Sequence, residues 1–126
     1  MFMFIHVKVN NFVVWAPIVH VDGSFYVFSG WSGEYGKTIG RLEVQTRKWS
    51  KAGDMVSGRE GHNVIYDGQF FIVVGGSDGS DALKTEKCAI VNEEMACSNQ
   101  LPQLSKYAYY PELFLVPQGY CDVMPS

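Results

Sequence analysis

The chain has little charge and no cationic surplus. Charged residues make up 18% of its 126 positions, with 10 Lys and Arg against 13 Asp and Glu, a net charge of −3. A general binder of nucleic acid or of an anionic membrane surface needs the opposite balance, so neither is expected as a partner. Long apolar runs are missing too. The longest, residues 12–19 and 108–116, are interrupted by Pro17 and Glu112. Both fall short of the roughly 18–20 residues that a membrane-crossing helix needs. The first nine residues are apolar but carry no basic start and no small-residue cleavage site, so they do not read as a signal peptide. Cysteines number three, Cys88, Cys97 and Cys121, with no Cys-x-x-Cys, which excludes a small domain held together by a disulfide framework. His6, His20 and His62 stand apart from one another and from any cysteine, so a zinc site of ordinary spacing is not expected, nor any cofactor. No segment sustains apolar residues at i, i+3, i+4 and i+7, and almost no helix is predicted.

What remains is apolar, aromatic and rich in glycine. Hydrophobic residues reach 47%, aromatics 14%, and there are 13 glycines. That is enough apolar material for a packed core and too much for a disordered chain. Aromatic residues with glycine turns point to β structure.

A repeat organises the chain. Asp22-Gly23-Ser24-Phe25-Tyr26-Val27-Phe28-Ser29-Gly30 matches Asp67-Gly68-Gln69-Phe70-Phe71-Ile72-Val73-Val74-Gly75, at one constant offset of 45. A second shift of that size reaches the weaker Glu112-Leu113-Phe114-Leu115-Val116. Each copy places a short apolar strand before the turn (18–21, 63–66, 107–110) and an almost wholly apolar one after it (25–28, 70–74, 113–116). Such runs suit strands buried on both faces. Asp-Gly between apolar runs is a two-residue hairpin signal, because a type I′ turn needs positive φ at both positions. Gly-rich loops follow at 31–38 and 77–83. Third and fourth strands come next, at 40–44 and 48–50 about the hinge Gln45-Thr46-Arg47, then at 87–91 and 95–97 about Asn92-Glu93-Glu94. Each unit reads as a four-stranded antiparallel meander. A small sheet with two apolar faces buries them by stacking on its neighbours, which is the logic of a β-propeller blade.

The run from Arg59 and His62 through Asp67-Gly68 to Gly75-Gly76, with Trp49 in the outer strand of the preceding unit, resembles the kelch repeat. The resemblance implies an all-β propeller fragment of four-stranded blades. Residues 1–17 would be an N-terminal strand or strands, a remnant of a preceding blade; 18–58 a first blade; 59–105 a second; 106–126 the start of a third. It departs from the pattern at Gly30-Trp31, at Cys97 where a Trp is expected, and at Pro117-Gln118. In the family's terms Gly30, Trp49, His62, Gly75 and Gly76 are structural: Trp49 fills the gap between blades and His62 hydrogen-bonds a neighbouring turn. Two to three blades do not close a ring, so the expectation is a fragment completed by further blades or by other copies.

Chemistry is scarce. Gly33-Glu34-Tyr35-Gly36-Lys37-Thr38 looks like the end of a phosphate-binding loop, but Trp31 stands where its first glycine is needed and a strand, not a helix, follows. Ser57, His62 and Asp67 are all present, yet His62 has its structural role and no catalytic residue is assigned. A copper oxidase of the galactose oxidase type finds no matching ligand set. Cys88 and Cys97 come within one residue of opposing each other across the hinge. At antiparallel spacing they reach a disulfide, the other reading being two buried thiols. A bridge favours an oxidising, extracellular or secreted setting, against a cytoplasmic one. Cys121 has no partner in the chain.

The function expected is non-catalytic binding of another protein through loops that crowd one rim. Trp31, Glu34 and Tyr35 are the candidates in the first unit, and Ser77, Asp78 and Asp81 in the second. Arg59 and Glu60 are the candidates on the loop between units. Two readings compete. One is an intracellular adaptor presenting substrates to a ubiquitin ligase, which would carry a BTB or F-box domain. The other is part of a sugar-active kelch enzyme.

Overall fold

A computed structural model gives the backbone of residues 3–9, 12–28, 36–78 and 84–101, with side chains over 16–28, 36–78 and 84–101. The described residues form nine strands and no helix: β1 (Met3–Val9), β2 (Phe12–Val21), β3 (Ser24–Phe28), β4 (Thr38–Glu43), β5 (Lys48–Asp54), β6 (Glu60–Tyr66), β7 (Phe71–Ser77), β8 (Glu86–Val91) and β9 (Glu94–Ser98). The third repeat lies outside them.

The two repeats become two antiparallel meanders, β2 to β5 and β6 to β9. The all-β, four-stranded expectation therefore holds. Strand β1 adds antiparallel to β2. Strands β5 and β9 meet in parallel through Gly53 with Met95 and Asp54 with Ala96. The result is one sheet ordered β1-β2-β3-β4-β5-β9-β8-β7-β6, in which β2 also packs on β6. At the β5–β9 junction Gly53 is required by space: a Cβ there would run into the Met95 carbonyl.

Pro17 does not break β2. It lies in the part of β2 paired with β1, opposite Phe4, just beyond the first residue that pairs with β3. A strand tolerates proline where only one neighbour needs its ladder.

The turns follow the sequence at Asp22-Gly23 and depart from it at the other two. Asp22 and Gly23 take φ of 48° and 77°, a two-residue turn with positive φ throughout. The hinge expected over Asn92-Glu93-Glu94 is one residue shorter: Asn92 and Glu93 take 51° and 69°, and Glu94 opens β9 opposite Val91, which brings Cys88 directly opposite Cys97. The second Asp-Gly differs. Only Gly68 has positive φ, and the loop runs over four residues before Tyr66 pairs with Phe71. Asp67 closes it: its Oδ1 accepts from Gln69 N at 2.9 Å and Phe70 N at 2.7 Å. Those bonds hold the exposed carboxyl below the usual Asp range. Phe70 thus sits in the loop rather than in β7, with the Lys87 ammonium 3.7 Å above its ring. The extra pair of residues shifts the register by two, which leaves every side chain on its original face.

One core joins the meanders. Val21, Tyr26, Phe28, Ile39, Ala52 and Met55 come from the first unit, and Val64, Phe71, Val73, Cys88 and Met95 from the second. Phe71 stands at its centre, 5.4 Å from the rings of Tyr26 and Phe28 and 4.6 Å from that of Tyr66. The expectation of strands buried on both faces is corrected here. In β7, Phe71 and Val73 are buried while Ile72 and Val74 are half-buried. Behind the first unit, Ala16 and Val27 form a separate small cluster with Ile18. Trp49 is a second correction. It is 41% exposed rather than wedged between the units, and Met55 and Met95 are among the residues of the core the units share.

Positions 45 apart point into this same core: Val19 and Val64, Val21 and Tyr66, Tyr26 and Phe71, Phe28 and Val73. The two units therefore face each other through equivalent surfaces.

Candidate functional site

The segment linking β5 to β6 is where polar side chains converge. Met55 N donates to Lys37 O at 2.8 Å, and Arg59 N to Gly36 O at 3.3 Å, which ties the linker to the loop before β4. From the other side, Glu86 at the start of β8 accepts from Val56 N at 2.6 Å and from Ser57 N at 3.1 Å. Arg59 lies beneath. Its guanidinium donates to Gly75 O and Lys84 O, both at 2.9 Å, and pairs with Glu86 at 2.5 Å, with both side chains fully buried. Loss of hydration pushes the Arg59 pKa down and the Glu86 carboxylate pulls it back up. Arg59 is therefore no ligand-contacting loop residue, as the sequence suggested. It fastens the linker to β7 and β8.

His62, in β6, is 1% exposed. Its Nε2 donates to Phe28 O at 2.9 Å, a bond from the second unit to the end of β3 in the first. Its Nδ1 is buried with no partner among the described residues. Burial pushes the imidazole pKa down to about 3; the Phe28 bond opposes this and the Arg59 charge adds to it. A neutral, inaccessible imidazole holds strands together and reaches no substrate.

The backbone beside His62 explains the glycine pair. Gly75 and Gly76 take φ of 77° and 82°, and both are buried. A Cβ at Gly76 would stand 2.6 Å from Glu60 O and 3.0 Å from the His62 Cβ. The close neighbour is thus strand β6 at Glu60 and His62.

Cys88 and Cys97 are directly opposed in the β8–β9 ladder and joined as a disulfide. Cys88 is fully buried under the shared core, and Cys97 is half-buried. Glu86 lies close enough that its oxygen and both sulfurs fall within 4.8 Å of one another. The bridge consumes both thiols and Arg59 consumes the carboxylate, so this trio is no metal cradle. Reduction is expected to lower the stability of the chain by about 2–3 kcal/mol, the loop-closure value for so short a ring. Urea unfolding with and without dithiothreitol, paired with intact mass, measures it.

The remaining rim candidates divide. Asp78 is exposed and close enough to Arg59 for its charge to be felt there. Glu60 is half-buried at the start of β6, paired with Ser77. Ser77 is 1% exposed, which corrects its reading as a contact residue: it ends β7 inside the fold. Gly30, Trp31, Glu34, Tyr35 and Asp81 lie outside the described residues, as does Cys121.

Glu86 escaped the sequence reading. A lone acid flanked by Thr85 and Lys87 looks like a solvated strand position. The available signal was the 45-residue offset, which aligns it with Arg41, a core-side position of β4 opposite the buried Tyr26.

No family model matches the chain. It is 32% identical over 102 residues to Kelch domain-containing protein 10 of Xenopus tropicalis, covering 75% of this chain and 25% of that protein. It is 30% identical over 81 residues to the Homo sapiens protein of that name, covering 59% of this chain and 18% of the relative. The chain thus spans a quarter or less of the length of these curated relatives. With a 45-residue repeat folded as four-stranded antiparallel meanders, an Arg59 and His62 anchor and a glycine pair closing β7, the chain belongs to the kelch-repeat family.

Proposed function

We propose that the chain is a non-catalytic module that binds another protein through loops at its rim. Kelch repeats serve in general in protein interaction, and kelch-repeat homologues are generally non-catalytic scaffolds. The observation that carries the reading is how the buried titratable groups are used. Arg59, Glu86 and His62 each spend their hydrogen bonds on holding one segment to another. Contact with a partner then falls to the exposed Asp78, to Glu60 at the start of β6, and to the sequence candidates Trp31, Glu34, Tyr35 and Asp81. An extracellular or secreted setting belongs to this proposal, because the Cys88–Cys97 bridge persists best under oxidising conditions.

The test is a peptide-display selection on the immobilised chain, repeated with Trp31→Ala, Tyr35→Ala and Asp78→Ala. Selected peptides are expected to lose at least tenfold in affinity to these variants, while thermal unfolding stays unchanged. Binding that survives all three substitutions would overturn the rim assignment. Free thiols in protein purified without reductant would move the reading to the intracellular adaptor.

A further inference from the structure

Five large hydrophobic side chains stand between 41% and 54% exposed among the described residues: Val44, Trp49, Val56, Ile90 and Val91. All but Val56 sit at the tips of two hairpins, β4–β5 and β8–β9. The parallel β5–β9 junction makes these hairpins one continuous stretch of sheet. Register fixes the faces. Ile90 pairs with the buried Met95, so the alternate pairs, Ala89 with Ala96 and Val91 with Glu94, face outward. Arg41 pairs with Ser50 on the side of Tyr26, so Leu42 and its partner Trp49 face outward too.

This outward face carries a knob and a hollow. The knob is Trp49. The hollow, a shallow and open depression of about 360 Å³, is lined by Phe70, Lys87, Ala89, Val91 and Ala96 among others. The two tips carry opposite charge. Beside Trp49 stand the exposed Arg47 and Lys48, and beside Val91 the exposed Glu93 and Glu94. Lys51 is already engaged with Asp54 at 2.9 Å.

We propose that this face is an interface between two copies of the chain. Trp49 of each copy seats in the hollow of the other, and Arg47 and Lys48 are set against Glu93 and Glu94. A two-fold arrangement makes each contact twice, which doubles a modest area and closes the assembly at a dimer. An exposed tryptophan entering a pocket with a charged rim is the composition of an interface anchor. The proposal does not depend on the rim-loop reading.

Sedimentation over a concentration series is the test. The wild-type mass is expected to rise toward twice the monomer, and to fall back as salt is added. Trp49→Ala is expected to stay monomeric. So are the two charge reversals, Arg47→Glu with Lys48→Glu and Glu93→Lys with Glu94→Lys. Mixed in equal amounts, the two reversed proteins are expected to dimerise, as is the single chain carrying all four changes. Circular dichroism confirms that each variant is folded. A wild type that stays monomeric at every concentration would overturn the proposal. So would a dimer indifferent to Trp49→Ala, or reversed proteins that do not restore each other.

Discussion

Arg59→Met is expected to destabilise the chain by about 3–5 kcal/mol, the range for removing one partner of a buried ion pair. The reason lies in what remains. Glu86 would be left buried without the cation that pairs with it, and the carbonyls of Gly75 and Lys84 would lose their donor. The two amides of Val56 and Ser57 still donate to Glu86, but they cannot neutralise it. Removing both charges, as Arg59→Met with Glu86→Leu, is expected to cost less than the sum of the single changes. Apolar replacement of a whole pair is often close to neutral, though here the Val56 and Ser57 amides would be orphaned. A double-mutant cycle by urea unfolding measures the coupling. Additive effects would mean that Arg59 and Glu86 act separately.

Acid is expected to destabilise the fold through His62 before the carboxylates begin to titrate. In the unfolded chain this imidazole takes a proton near pH 6.5; in the folded chain burial holds its pKa at about 3. Between those values the unfolded state binds a proton that the folded state refuses. Stability therefore falls as pH drops from about 6.5 toward 3, with a limiting slope near 1.4 kcal/mol per pH unit. Across the window the loss is on the order of 4 kcal/mol. The stability is fully present above pH 6.5. Asp67, whose pKa is also depressed, adds its loss only below the ordinary Asp range. His62→Gln keeps a donor for Phe28 O and removes the titration. It is expected to flatten the curve of unfolding free energy between pH 6.5 and 4, and an unchanged slope in that variant would assign the acid sensitivity elsewhere.

Much of the architecture was legible along the chain. The 45-residue offset, the Asp22-Gly23 turn and the hinge at Asn92-Glu93-Glu94 locate the hairpins. Cys88 and Cys97 could be placed within one residue of opposing each other because a short turn sets the register of its strands; a turn one residue shorter makes the opposition direct. The loop at Asp67 was legible only in part. Whether an aspartate enters a two-residue turn or folds its carboxylate back onto the next two amides depends on small differences among neighbouring residues. Arg59 was misread for a plainer reason. An arginine between two strands in a glycine-rich linker looks solvated unless the acid that neutralises it is known, and Glu86 comes 27 residues later.

By itself the sequence determined local matters: where the strands and turns fall, the alternation of side chains and the repeat. These follow from backbone geometry with a period of two residues. Only the tertiary structure decided which face of each sheet is covered and by what. Alternation defines two faces for a strand but does not say which one meets a neighbour. That choice comes from the summed packing of side chains far apart in the chain, here Tyr26, Phe28 and Phe71 closing on one another. Once they meet, Trp49 is left outside, and Arg59 and His62 are left inside where they must find partners.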